Sequence, residues 1–384
     1  MIPYAKQSIS AEDINAVLAV LKSNFITQGP IVPQFEKAIA EYCGAEYSIA
    51  TTNATAALHL ACLSLGIGPG DRVWTSPNTF VASANCVLYC GASIDFVDID
   101  LRTYNLCPFK LEQKLIEAAA KGQLPKAVIA VHFAGQSCEM KKIHELSLRY
   151  GFRIIEDASH AIGGEYCEDK IGSCIYSDIT VFSFHPVKII TSGEGGMLLT
   201  NCKKLSEKAS VLRSHGISRE SNTFIDESKK VCYYEQQELG YNYRMSDIHA
   251  ALGLSQFSRL DSFIQKRREL VQYYHSKLKK LPIFLPEQHK DCYSAWHLLV
   301  VRLDDEVSRS SRDSVLIRMK KREILGNIHY IPVHTQPYYQ KLGFKWGDFP
   351  ESEKYYETCI TLPLFVNLSI EQVDHVVKNL KEIL

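Results

Sequence analysis

Along the first 220 residues, apolar positions follow two alternating rhythms. Ile14, Val17, Leu18 and Leu21 recur at helical spacing and predict one apolar face, and Ser10 with Asp13 three residues on predicts the cap that starts that helix. Asn53 predicts the start of a second helix, with Ala57, Leu58, Ala61, Cys62 and Leu65 on its buried side and Gly66 just past its end. Strand-like runs follow: DRVWTS (71–76), SIDFVDI (93–99), KAVIAVHF (126–133), FRIIEDA (152–158) and DITVFSF (178–184). Several are almost continuously apolar, as parallel strands covered on both faces should be. Helical segments at 110–121 and 138–150 separate them, and the alternation predicts an open α/β sheet. There is no internal repeat and no low-complexity segment.

The pattern changes from Met245 onward. A long helical stretch over 246–280 carries charged runs such as QKRRELVQYYHSKLKK. Shorter strand signals follow at WHLLVVRL (296–303) and GNIHYIPV (326–333), then a final helix near 369–383. A domain change falls within 245–285. The expected division is a large α/β domain over 1–250 and a smaller α+β domain over 251–384.

Composition narrows the function. The 384 residues include 43 basic and 43 acidic side chains, giving no formal net charge, and 46% are hydrophobic. Neutrality without a Lys/Arg block argues against a nucleic-acid or acidic-membrane partner. MIPYAKQSISAEDI has no apolar leader core, and no apolar run approaches the roughly 18 residues that span a bilayer. A cytoplasmic protein is expected. The twelve cysteines form no CxxC pair, and Cys62, Cys86 and Cys90 sit in helix-like apolar patterns, which suits small buried thiols in a reducing compartment. Neither they nor the thirteen histidines supply zinc-ligand spacing, so no metal is expected.

Ligands of open α/β sheets bind beyond the carboxyl ends of the strands. The strand FRII ends in Glu156-Asp157, then Ala158-Ser159-His160; TVFSF leads into His185-Pro186-Val187-Lys188; and Asn53-Ala54-Thr55 stands at a helix mouth. Singly, each has a plain structural explanation as a turn, cap or solvated side chain. Together they meet one chemical need. A helix N-terminus offers N–H groups and a positive dipole to a phosphate, a buried carboxylate can hold a pyridine nitrogen protonated, and a lysine can form a Schiff base with an aldehyde. Those are the contributions pyridoxal 5'-phosphate requires from a protein.

The motifs NATAALHLA (53–61), NTFVASAN (78–85), EDASHAIG (156–163), SFHPVKIITSGEGG (183–196), LRSHGI (212–217) and LGYNYRMSDIHAALG (239–253) resemble those of the DegT/DnrJ/EryC1/StrS sugar aminotransferases, and the likeness runs from 26–36 to 362–365. The resemblance implies the aspartate aminotransferase-like architecture of fold-type I enzymes dependent on pyridoxal phosphate: a large domain with a mostly parallel sheet and a smaller α+β C-terminal domain. It implies Lys188 as the Schiff-base lysine and Asp157 as partner of the pyridinium nitrogen. Phe80 would stack on the ring, with a core aromatic as its alternative. Ala54, Thr55 and Ser183 would bind the phosphate, and His160 would lie near the 3'-oxygen. The family usually has Gly where Ala54 stands. Asn242 would reach across an interface to the partner's phosphate, implying a homodimer with shared sites.

The same resemblance implies L-glutamate as amino donor and a keto sugar as acceptor. The motifs are similar to those of members acting at C4 of UDP-linked 4-keto-6-deoxy-N-acetylhexosamines, in particular those forming UDP-4-amino-4,6-dideoxy-N-acetyl-β-L-altrosamine on the way to pseudaminic acid. The alternatives are another nucleotide-sugar C4 or C3 aminotransferase, linked to UDP, TDP or GDP, or a regulatory member without catalysis. Arg213, His215, Arg219, Arg244 and His329 are candidates for the nucleotide sugar, with a structural or surface role open for each. Relatives that dehydrate carry histidine in place of the lysine, which Lys188 argues against.

Overall fold

The near-continuous apolar runs form the centre of a seven-stranded sheet: β1 Tyr47–Thr51, β2 Arg72–Thr75, β3 Ser93–Phe96, β4 Ala127–Val131, β5 Arg153–Asp157, β6 Ile179–Ser183 and β7 Gly196–Thr200. The structure is a computed structural model, and it describes all residues except 220–223, 226–231 and 309. Strand order is β1-β7-β6-β5-β4-β2-β3. β7 runs antiparallel to both of its neighbours, and the other pairings are parallel. β4, β6 and β7 are buried along their whole length, which explains why their sequences do not alternate. The sequence pattern missed β1 and β7. Each is five residues long, and β7 begins inside a glycine-rich turn.

Helices cover both faces. On one face, α3 Ala54–Ser64 and α4 Ala82–Tyr89 pack Leu60, Cys62, Cys86 and Val87 against Val73, Ile129 and Ile155. On the other, α5 Pro108–Ala120 and α6 Met140–Tyr150 pack Leu111, Leu115 and Ile143 against Trp74, Val128 and Ile154. Adjacent strand residues point to opposite faces, so Val128 and Ile129 serve different cores. Cys62, Cys86 and Cys90 are free and buried in the first of these.

The helix α1 Ala11–Leu21 departs from its sequence pattern. Ser10 and Asp13 form the expected capping box. The expected apolar face, however, looks outward, with Ile14 59% and Leu18 43% exposed. The inward position belongs to Asp13, whose carboxylate accepts from Ser255 (2.7 Å), from Gln256 (2.6 Å) and from Arg259. The single long helix expected over 246–280 is two, α8 Asp247–Phe257 and α9 Leu260–Leu278. The chain leaves helical geometry at Arg259, the residue that meets Asp13.

A second core gathers around an antiparallel sheet of β8 Ile283–Phe284, β9 Leu299–Leu303 and β10 Cys359–Leu362. Leu270, Val271 and Tyr274 of α9 pack on it with Val373, Val376 and Leu380 of the final helix, Ile370–Ile383, and with Ile2 from the other end of the chain. Segment 326–333, expected as a strand, makes one bridge, Asn327 to Thr361. It then leaves the sheet through Pro332, which lacks an N–H for a ladder, into a short helical turn over Val333–Thr335. Arg267 is buried between the layers and donates to the carbonyls of Trp296, His297 and Leu364 at 3.1–3.3 Å. None of the described helices is long and apolar enough to cross a membrane.

Candidate active site

At the carboxyl ends of β5 and β6 lies a cavity of about 350 Å³. The main-sheet side supplies Asn53, Ala54, Thr55, Phe80, Asp157, His160, Ser183 and Lys188; the second layer and the N-terminal segment supply Tyr4, His297, His329 and Tyr330. Asn53 caps α3, accepting from the Ala56 N–H at 2.8 Å. The first N–H groups of a helix have no partner within it, so the mouth formed by Ala54 and Thr55 presents donors and a positive dipole to the cavity. β7 presses against this mouth. A side-chain carbon on Gly196 would stand 2.5 Å from the Asn53 carbonyl carbon and 2.6 Å from the Ala54 nitrogen, so only glycine permits the approach.

Asp157 ends β5 and is buried. Its Oδ2 accepts from Ser83 Oγ at 2.6 Å, and its Oδ1 from Ser159 Oγ at 2.6 Å and from the Ser159 N–H at 3.1 Å. Thr79 Oγ1 lies 2.7 Å from Ser83 Oγ. A carboxylate can only accept, so Ser83 spends its proton on Asp157 and Thr79 donates to Ser83. Burial lowers the pKa of Lys188 to about 8, with Asp157 opposing the shift. A lysine so placed is neutral far more often at physiological pH than an ordinary one.

Three imidazoles face this lysine, and each is held neutral. Burial, then the positive charge of Lys188, depresses His160 well below the usual histidine range and takes His329 down to about 3. His297 is depressed likewise, by burial first and then by His160 and Lys188. His297 stacks obliquely at 4.5 Å from the His160 ring, and its buried Nδ1 has no hydrogen-bond partner among the described residues. His329 Nδ1 lies 2.8 Å from Thr361 Oγ1.

The structure brings Ala54, Thr55, Phe80, Asp157, His160, Ser183, Lys188 and His329 to one cavity. Phe80 is 58% exposed at the cavity and is no core aromatic. The other expected residues lie outside the cavity of a single chain. Arg213 is engaged by Glu36 at 2.6 Å and by the Ala50 carbonyl at 2.9 Å. Arg219 lies over the Tyr234 ring, and Arg244 bridges to Thr51. His215 and Asn242 are exposed. Sequence reasoning missed Tyr4, Ser83, Ser159, His297 and Tyr330. Ser159 was readable as a turn hydroxyl two residues after an aspartate; the others depend on tertiary contacts.

Residues 7–381 match the model of the DegT/DnrJ/EryC1/StrS aminotransferase family. The chain belongs to that family. Aminotransferases of the family use pyridoxal 5'-phosphate, and this cavity has the parts to receive it: a helix mouth cleared by Gly196, a buried carboxylate and a lysine of lowered pKa. The chain is 40% identical to the spore coat polysaccharide biosynthesis protein SpsC of Bacillus subtilis, across 100% of this chain and 97% of that protein. Among solved structures it is similar to PseC of Helicobacter pylori, an aminotransferase involved in the biosynthesis of pseudoaminic acid, with TM-score 0.90, 30% identity and coverage of 100% and 98% of the two chains. It is also similar to the PLP form of Spr1654 from Streptococcus pneumoniae, with TM-score 0.88, 28% identity and coverage of 100% and 98%. The family member is thus a sugar aminotransferase with a mostly parallel α/β sheet, as its motifs implied.

Proposed function

We propose that this aminotransferase moves an amino group from L-glutamate to C4 of a UDP-linked 4-keto-6-deoxy-N-acetylhexosamine, giving UDP-4-amino-4,6-dideoxy-N-acetyl-β-L-altrosamine for pseudaminic acid. The observation that carries this reading is the full-length likeness to PseC, joined to the cavity motifs around Asp157 and Lys188. Bound pyridoxal phosphate would supply an aldehyde for amines and an electron-withdrawing ring. Ala54, Thr55 and Ser183 would hold its phosphate, Phe80 would lie against its ring, and His160 would stand near the 3'-oxygen. Asp157, held by Ser83 and Ser159, would keep a proton on the ring nitrogen. Lys188 Nζ, neutral by virtue of its lowered pKa, takes the donor's α-proton and returns it.

The reading includes a homodimer in the cytoplasm in which Asn242 of one copy reaches the other's phosphate. Two features support the pairing: Asn242 is exposed outside its own cavity, and the exposed ridge of Ile14, Leu18 and Leu21 on α1 is joined by exposed Phe25 and Ile26. A second reading is favoured by the 40% identity to SpsC: amination of a different nucleotide sugar for a surface polysaccharide. Incubation with glutamate and a panel of UDP-, TDP- and GDP-linked keto sugars, with products identified by NMR, separates the two. Amination restricted to TDP- or GDP-linked sugars overturns the first reading. A monomeric mass by light scattering of the active enzyme overturns the shared site.

A further inference from the structure

The proton on His160 can be placed from its neighbours. The Ala134 N–H donates to His160 Nδ1 at 3.2 Å, so that nitrogen carries a lone pair. A neutral imidazole has one N–H, which must then be on Nε2. Nε2 lies 3.1 Å from the hydroxyl oxygen of Tyr330. An N–H donates, so the Tyr330 oxygen accepts and its own proton is turned away from His160. Among the described residues no hydrogen bond takes up that proton, and Tyr330 lines the cavity. Its ring is fixed by four ring neighbours, stacked on His160 (6.1 Å, 25°) and angled to Phe80 (6.1 Å), Phe133 (6.2 Å) and His329 (4.9 Å). Burial and the nearby Asp157 charge push its pKa up, so the phenol stays protonated.

The chemistry around Tyr330 selects what it meets. A carboxylate or phosphate calls for cations or a helix mouth, and here the wall contains neutral His160, His297 and His329 with the phenols of Tyr4 and Tyr330. Neutral donors suit a neutral oxygen, and a site built to hydrogen-bond such an oxygen discriminates strongly against ligands lacking it. The keto sugar, whose carbonyl and hydroxyls are uncharged, fits this wall; the amino acid donor with its carboxylates does not. We propose that Tyr330 is a catalytic residue that donates a hydrogen bond to an oxygen of the keto sugar, with His160 as the positioning residue that aims its proton. The inference rests on the sugar aminotransferase reading and adds the group that recognises the acceptor.

The test is Tyr330→Phe, which keeps the ring and removes the proton, made in the full-length holoenzyme. The two half-reactions are followed separately by cofactor absorbance in single turnovers, first with glutamate, then with the keto sugar that the wild-type protein aminates. The expected result is a loss in the sugar half at least about tenfold greater than in the glutamate half, matching the loss of one hydrogen bond made to the reacting substrate. Pyridoxal phosphate binding to the apoprotein, read by fluorescence, should change less than threefold. His160→Gln, whose amide can both accept from Ala134 and donate to Tyr330, should keep the ratio of the two half-reaction rates within about threefold of wild type, whereas His160→Leu should lower the sugar half about tenfold beyond whatever it costs the glutamate half. Equal losses in both halves, or no loss in either, overturn the proposal, as does a fall confined to cofactor affinity. A wild-type protein that takes amino groups from glutamate and passes them to no keto sugar overturns the sugar reading itself. That failure is recognisable because it appears without any substitution.

Discussion

Ser83→Ala isolates what holds the carboxylate of Asp157 in place. The Ser83 hydroxyl donates to Asp157 Oδ2 at 2.6 Å, and both residues are buried. A hydrogen bond to a charged group contributes about 1.5–3 kcal/mol. If Asp157 must be ionised and correctly turned to hold the cofactor, that loss corresponds to roughly a 10- to 150-fold weaker affinity. Ser159 still donates to Oδ1, so the site should weaken and not collapse. Titration of apoprotein with pyridoxal phosphate, read by fluorescence, measures the effect, and circular dichroism checks the fold. Thr79→Val removes the donor to Ser83 at one remove and should cost less, about 0.5–1.5 kcal/mol. A well-folded Ser83→Ala protein binding the cofactor as tightly as wild type, with an unchanged pH profile for the glutamate half-reaction, would refute the idea that this relay orients Asp157.

Gly196→Ala should displace the α3 mouth, because the new carbon would sit 2.5 Å from Asn53; a loss of cofactor affinity of tenfold or more, reversed by high phosphate-ester concentration, is the expected titration result. Lys188 titrates near 8 instead of its ordinary 10.5, and its neutral amine is the nucleophile. Capture of pyridoxal phosphate by apoprotein should therefore speed up as pH rises to about 8 and level off above, whereas a rise continuing to pH 10 would exclude the lowered value. The sign for stability follows: between about 8 and 10.5 the unfolded chain binds the proton and the folded one does not, so apoprotein stability gains with pH in that window through this group. Arg267→Ala takes away the Nη1 group that serves three buried carbonyls and should lower unfolding free energy by at least about 2 kcal/mol in urea titrations, with wild-type stability as the contrary outcome.

The apolar runs at 126–133, 152–158 and 178–184 announced the middle of the main sheet because strands buried on both faces have no polar alternation to hide them. β1 is a short edge strand without that signature, and β7, although apolar and buried throughout, is obscured by the glycine turn it grows out of. The apolar spacing in α1 was legible and its direction was not, since a charged residue, Asp13, determines which side faces inward. Within the cavity, the residues that end strands or open helices could be read from spacing. Ser83, His297 and Tyr330 could not, because each gains its place from a segment distant in sequence: Ser83 from Asp157, His297 from His160, and Tyr330 from a loop leaving the second sheet.

The cavity takes its walls from two parts of the fold, so its two ligands would meet different walls. The helix mouth, Asp157 and Lys188 ride on the main sheet, while Tyr4, His297, His329 and Tyr330 ride on the second layer, tied there by Arg267 and by the Tyr4 carbonyl accepting from Leu364. If Tyr330 meets the sugar as proposed, substitutions on that wall can alter acceptor binding while leaving the phosphate grip intact. An enzyme that must exchange two unlike substrates in every cycle can thus have its choice of acceptor retuned without loosening its hold on the group that carries the nitrogen between them.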